Sequence, residues 1–91
     1  MADYTVYITR RASKELSKNV AHQDKDRVKE AITALGKDPR PHGCRKVRSA
    51  PTGTFRIRVG DYRVIYRVRD KEEAVVVAVV RRRSEDTYRN L

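Results

Sequence analysis

The stretch TFRIRVGDYRVIYRV, residues 54–68, predicts two short β-strands joined by a tight turn at residues 60–61. A two-residue loop at this Gly-Asp pair places Arg58 directly opposite Arg63. Because side chains alternate between the two faces of a strand, one face of the hairpin is predicted to be apolar and the other to carry arginines. The apolar face holds Phe55, Ile57, Val59, Tyr62, Val64 and Tyr66, and the other face holds Arg56, Arg58 and Arg63.

The facing arginines need a physical reason, because like charges directly opposite each other destabilise a sheet. A solvated outer face of an antiparallel sheet ordinarily carries lysine and arginine without further function. On this face every cationic position is arginine, and Asp61 in the turn is the one acidic residue within 54–68. The planar guanidinium group suits bidentate contact with phosphate. The pattern therefore favours a phosphate-binding surface over a merely solvated one.

The overall charge agrees with a polyanionic partner. The chain carries 22 Lys and Arg against 12 Asp and Glu, a formal net charge of +10. Residues 45–91 hold 13 basic and 6 acidic residues, whereas residues 1–44 hold 9 and 6. The excess thus lies mostly in the half that contains the hairpin. This asymmetry favours nucleic acid or another acidic macromolecule over charge that serves solubility alone.

Length and composition predict one small domain over residues 1–91, with no linker or internal repeat. No apolar run is long enough to span a membrane, and the first residues lack the apolar core of a secretory signal. The single Cys44 has no partner for a disulfide and no metal-ligand spacing around it, which is compatible with a reducing cytoplasm. The histidines, His22 and His42, are isolated and receive no role.

The remaining segments complete a predicted α+β domain of order β-α-α-β-β-β with a C-terminal tail. Strands are predicted at 4–9, 45–48 and 74–80, and helices at 10–20 and 23–35. Gly36 ends the second helix, and the Pro-rich segment 37–44 is a loop. The seven-residue apolar run 74–80 is predicted to be the central strand. We expect a small antiparallel sheet covered on one face by a helical hairpin.

A second arginine cluster, Arg81–Arg83, follows this apolar run directly. A charge run after a buried strand is commonly its solvated end. If the last strand pairs beside the hairpin, however, the cluster lies at the edge of the same sheet as the hairpin arginines. Tyr88, in the tail, is interpreted from the residues alone as an aromatic side chain packed over the edge of the core.

Two segments resemble a known family: KVRSAPTGTFRIRVGDYRVIYRV (residues 46–68) and, after the apolar strand, RRRSEDTY (residues 81–88). They are similar to the RelE/ParE superfamily of toxins from type II toxin–antitoxin pairs, and the resemblance extends over nearly the whole chain. It implies a fold like that of compact microbial ribonucleases. For the RelE-like branch it implies a ribosome-dependent endoribonuclease that cleaves messenger RNA in the ribosomal A site with no metal and no cofactor.

The resemblance also implies a set of site residues. The catalytic set transfers by position to Arg56, Arg58, Arg63, Arg82 and Tyr88, with Arg81 or Arg83 as alternatives to Arg82. Further RNA-binding residues are expected among the neighbouring basic positions: Arg45, Lys46, Arg48, Arg81 and Arg83.

The implied reaction is attack by a ribose 2′-hydroxyl on the adjacent phosphate, which leaves a 2′,3′-cyclic phosphate. Arginines suit stabilisation of the pentacovalent phosphate, but a guanidinium does not give up its proton near neutral pH. Part of the family often has lysine at one or both of the positions where this chain has Arg56 and Arg58. Tyr88 is therefore interpreted as the general base, because nearby guanidiniums would lower the pKa of its phenol. Arg82 is assigned to stabilise or assist the leaving group.

The same resemblance implies partners and alternatives. A small antitoxin, the ribosome and messenger RNA are the expected partners, in the cytoplasm and away from membranes. One alternative is a ParE-like inhibitor of DNA gyrase, which has no nuclease chemistry. The other is a non-catalytic basic module that binds RNA or the ribosome, with a steep salt dependence.

Overall fold

Two helices cover one face of a five-stranded sheet in the computed structural model, which describes residues 3–82. The α+β class predicted from the sequence is confirmed. The elements, in chain order, are β1 (Thr5–Ile8), α1 (Arg10–Asn19), a 3-10 turn (His22–Asp24), α2 (Lys25–Ala34), β2 (Arg45–Lys46), β3 (Thr54–Val59), β4 (Tyr62–Arg69) and β5 (Ala74–Arg82).

The sheet is mixed, with strand order β1-β5-β4-β3-β2. Strands β2 to β5 pair antiparallel, but β1 runs parallel to β5. The predicted small antiparallel sheet is confirmed for β2 to β5, but the parallel pair of β1 with β5 departs from the prediction; this pair joins segments almost 70 residues apart, Thr5 to Ala74. The apolar strand β5 is interior, as its sequence indicates, although β4 occupies the central position.

The hairpin of β3 and β4 has the register predicted from its turn. Val59 lies opposite Tyr62, and Arg58 lies opposite Arg63. The turn glycine, Gly60, has a φ of +59°, a conformation that glycine adopts without strain. The predicted apolar face packs beneath the helices, where its largest fully buried side chain is Tyr66, and contributes to one core. The core thus holds the opposite, arginine-bearing face of the hairpin toward solvent.

Both helices bury an apolar stripe on the sheet. Helix α1 begins after Thr9, whose hydroxyl accepts a hydrogen bond from the Ala12 backbone N–H, and it buries Ala12 and Leu16. Helix α2 is shorter than predicted, because the 3-10 turn replaces its first residues. Gly36 follows α2, and any side chain there would meet the Tyr4 carbonyl oxygen at 2.8 Å. This glycine therefore lets β1 approach the end of α2.

The Pro-rich loop is anchored at two points. The Arg40 guanidinium donates two hydrogen bonds to the Asp70 carboxylate, at 2.7 and 3.3 Å, and the Tyr4 hydroxyl donates a third at 2.7 Å. These bonds hold the pKa of Asp70 below its usual value. The Tyr66 hydroxyl donates to the Pro39 carbonyl at 2.7 Å from within the core, and burial raises the pKa of that phenol. The loop is thus fixed to the sheet at β4 and at the turn that follows β4.

Within residues 3–82, no helix is long and apolar enough to cross a membrane.

Candidate nucleic-acid interface

A row of three arginines crosses three adjacent strands on the face of the sheet that the helices leave open. Arg58 on β3 lies opposite Arg63 on β4, and Arg63 lies opposite Arg81 on β5. Residues directly opposite each other project from the same face of an antiparallel sheet. The hairpin arginines and one member of the C-terminal cluster therefore share one surface.

A second arginine pair extends this surface toward the edge of the sheet. Arg45 on β2 lies opposite Arg56 on β3, two residues along the strand from Arg58. We call the five residues Arg45, Arg56, Arg58, Arg63 and Arg81 the arginine face. Sequence reasoning placed Arg45 near the site but not opposite Arg56, because that pairing depends on the path of the loop between β2 and β3.

A β-bulge decides which arginine of the C-terminal cluster joins the arginine face. Tyr66 pairs with Val77 and Ile65 pairs with Val79, so Ala78 is an extra residue on β5. From Val79 onward, the bulge therefore reverses which face of the sheet each side chain of β5 projects from. Without it, strict alternation from Val77 would turn Arg81 toward the helices. The structure instead brings Arg81 onto the open face.

Arg82 lies on the opposite, helix-covered side of the sheet. It is paired with Tyr62, and its guanidinium carbon is 5.9 Å from the centre of the Tyr62 ring. The Tyr62 hydroxyl donates to an Asp24 carboxylate oxygen and accepts from the Ala21 N–H, both at 3.0 Å. The Arg82 contact is a cation–π interaction at the exposed end of the strand. The structure therefore separates Arg82 from the three arginines that the sequence analysis grouped with it in the catalytic set: Arg56, Arg58 and Arg63.

The remaining predicted residues are placed as follows. Lys46 lies opposite Phe55, and therefore on the helix side of the sheet, while Arg48 is exposed in the turn after β2. Arg83 and Tyr88 lie outside the described residues. Within residues 3–82, no group of three or more His, Cys, Asp or Glu side chains is arranged to hold a metal ion.

A groove of about 420 Å³ borders the arginine face at Arg58. It lies between α2, the Pro-rich loop and the part of β3 that follows its last pair with β2, Arg56 opposite Arg45. Its walls include apolar side chains of α2 and β3 together with Arg27 and His42. The groove is thus lined by apolar side chains together with two arginines, Arg27 and Arg58, and the Asp38 carboxylate.

Removing one arginine from the three-residue row is expected to stabilise the protein. Arg58→Thr should raise the free energy of unfolding by about 0.2–1 kcal/mol at low salt, because a guanidinium directly opposite Arg63 is removed. Urea unfolding at low and high salt measures the effect, which should shrink as salt screens the charges. The matched control is Arg67→Thr, an exposed position opposite Thr54. Equal changes in the two variants would contradict the interpretation.

Comparison with known proteins agrees with the resemblance seen in the sequence. A family model described as "ParE toxin of type II toxin-antitoxin system, parDE" matches residues 6–87. No protein of curated function matches the chain in sequence.

Several solved structures share the fold. The RelBE2 toxin–antitoxin complex of Mycobacterium tuberculosis contains a chain 32% identical, with a TM-score of 0.77, and the match covers 89% of this chain and 99% of that one. The archaeal RelE–RelB complex of Pyrococcus horikoshii gives 29% identity, a TM-score of 0.77 and coverages of 89% and 96%. The isolated RelE toxin of E. coli gives 25% identity, a TM-score of 0.73 and coverages of 97% and 99%.

Proposed function

Since the chain belongs to the RelE/ParE superfamily of type II toxin–antitoxin toxins, we propose that it is a ribosome-dependent endoribonuclease that cleaves messenger RNA in the A site. The observation that carries this proposal is the arginine face. Its guanidiniums line an open sheet surface, and a row of three spans β3, β4 and β5. Fixed positive charges in such a row complement successive phosphates of an RNA backbone and are relieved of mutual repulsion when they bind it.

The proposed reaction needs no metal or cofactor. The ribose 2′-oxygen loses its proton and attacks the adjacent phosphorus, and the bond from phosphorus to the 5′-oxygen breaks as that oxygen is protonated. The products are a 2′,3′-cyclic phosphate and a free 5′-hydroxyl. The arginines act where negative charge develops on the pentacovalent phosphate, because their charge is already in place when the reaction begins.

Each site residue has a proposed part. Arg58 and Arg63, with Arg56 beside them, clamp the scissile and neighbouring phosphates. Arg81 lies directly opposite Arg63, so we assign to Arg81 the stabilisation of the leaving group. The interpretation based on the sequence resemblance had assigned this role to Arg82. Tyr88 removes the 2′-hydroxyl proton. The remaining basic residues bind flanking RNA or the ribosome: Arg45, Lys46, Arg48 and Arg83.

A neutralising antitoxin is the second proposed partner. One of the solved structures above is described as a toxin–antitoxin complex, RelBE2, and another as a complex of RelE with RelB. In this chain, an acidic antitoxin segment would meet the arginine face, and an apolar part would fit the groove beside Arg58. The proposed action on ribosomes implies a cytoplasmic location.

Inhibition of DNA gyrase is the alternative function, favoured by the description of the matching family model as a ParE toxin. It requires the fold and a partner surface, but neither a row of arginines on the open face nor a tail tyrosine.

One experiment distinguishes these functions. The full-length protein is incubated with programmed ribosomes, and cleavage sites are mapped by primer extension, while a parallel reaction contains gyrase and supercoiled DNA. We expect cuts within the A-site codon and no gyrase-dependent DNA breaks. Gyrase-dependent breaks without RNA cleavage would overturn the proposal in favour of the alternative. Binding to ribosomes with neither activity would identify a non-catalytic module.

A further inference from the structure

Glu15, on helix α1, contacts the strand that carries Arg81. Its Oε1 atom accepts a hydrogen bond from the Val80 backbone N–H at 2.9 Å. The Glu15 side chain is only 18% exposed, and its other oxygen accepts from the Arg11 guanidinium at 3.3 Å. A carboxylate from the helix layer is therefore bonded to the backbone of the sheet, one residue before Arg81.

The end of β5 needs this contact because its neighbour β1 stops short. The last pair between β1 and β5 joins Ile8 to Val77, and the Thr9 N–H then donates to the Val77 carbonyl. Within residues 3–82, no strand flanks β5 beyond that point on this side. Val80 is fully buried, so its N–H cannot use water as an acceptor. The Glu15 carboxylate therefore supplies the acceptor that a longer β1 would have provided.

The segment held in this way is the one that the bulge redirects. Ala78 is the extra residue on β5, and its carbonyl accepts a hydrogen bond of 3.4 Å from the Thr9 hydroxyl. Thr9 also caps α1. Helix α1 and its cap thus bond β5 at two points after β1 has ended, and Arg81 follows the second point immediately.

We propose that Glu15 is a positioning residue for the RNA-cleaving site, acting through the backbone of β5 on the placement of Arg81. The inference rests on the proposed nuclease function. The carboxylate does not touch the substrate, since it lies on the helix side of the sheet. It fixes the end of β5 so that the Arg81 guanidinium remains in the row with Arg63 and Arg58.

The test compares Glu15→Ala with Glu15→Gln in the full-length protein. Glutamine keeps an oxygen acceptor for the Val80 N–H, whereas alanine removes it. We expect Glu15→Ala to lower kcat by up to about 10²-fold with little change in KM, because a small misplacement of a catalytic group has effects of this size. Glu15→Gln should restore most of the activity. Glu30→Ala, which removes an exposed carboxylate from α2, is the matched control and should have no effect.

A double-mutant cycle separates positioning from general stability. If Glu15 acts through Arg81, then Glu15→Ala combined with Arg81→Ala should be no slower than Arg81→Ala alone. Additive losses in the double variant, or an inactive Glu15→Gln protein that is folded, would overturn the proposal.

Amide hydrogen exchange tests the same contact without any activity. The Val80 N–H should exchange faster in Glu15→Ala than in the parent and in Glu15→Gln. Unchanged exchange would show that Glu15 does not hold β5, whatever the protein cleaves. If the parent cleaves no ribosome-bound RNA, the nuclease proposal fails and the positioning role at that site fails with it. Faster Val80 exchange would then still identify the carboxylate as a clamp on β5.

Discussion

Replacing Arg81 by alanine is expected to slow ribosome-dependent cleavage of messenger RNA by about 10²–10³-fold, the usual effect of removing one preorganised stabiliser of a developing charge. The expectation follows from the register of β4 and β5, which places Arg81 opposite Arg63 in the arginine face. Single-turnover cleavage on programmed ribosomes measures the effect on the chemical step, separately from binding.

Arg82→Ala is the matched comparison, since the two residues are neighbours in sequence and lie on opposite faces of the sheet. Its loss removes the contact with the Tyr62 ring, which should lower the free energy of unfolding by about 0.5–1 kcal/mol. Cleavage by the folded Arg82→Ala protein should remain close to that of the parent. The reverse ranking, with Arg82→Ala the slower enzyme, would restore the assignment made from the sequence resemblance and contradict the one based on register.

The contrast between the hairpin and β5 shows how much of the site the sequence could predict. In the hairpin, a two-residue turn fixes the register locally, so Arg58 opposite Arg63 followed from the residues alone. The run AVVVAVV at residues 74–80 has no alternation, so the sequence contains no information about which side chains face the core. No feature of the local sequence indicates the bulge at Ala78. The bulge places Arg81 on the open face of the sheet and Arg82 on the helix-covered face.

Pairings between distant segments explain the other differences. Two pairings depend on the path of the chain between distant segments: the parallel pairing of β1 with β5, and the pairing of Arg45 with Arg56. The two helices and a long loop determine these paths. The contact of Glu15 with β5 could not be predicted from the sequence either, because a carboxylate on a short amphipathic helix is ordinarily a solvated charge. Its importance appears only when the buried Val80 N–H is found to lack a neighbouring strand within the described residues.

Replacing Tyr88 by phenylalanine is expected to slow cleavage by about 10²–10⁴-fold, the range typical of losing a general acid or base. The change removes one hydroxyl and keeps the ring, so binding of RNA and ribosomes should be retained, with kcat reduced and KM nearly constant. Tyr7→Phe is the matched control, because Tyr7 is exposed on β1 and 56% accessible. Single-turnover rates for the parent and both variants provide the comparison.

The pH dependence makes the Tyr88 assignment specific. A general base acts in its deprotonated form, so the parent rate should rise with pH as the phenol of Tyr88 ionises. The arginines remain charged across this range and contribute no such rise. In Tyr88→Phe the rise should disappear while the residual rate from the arginines remains. A variant that keeps the parent's rate, or a slow variant with the parent's pH profile, would show that another group removes the 2′-hydroxyl proton.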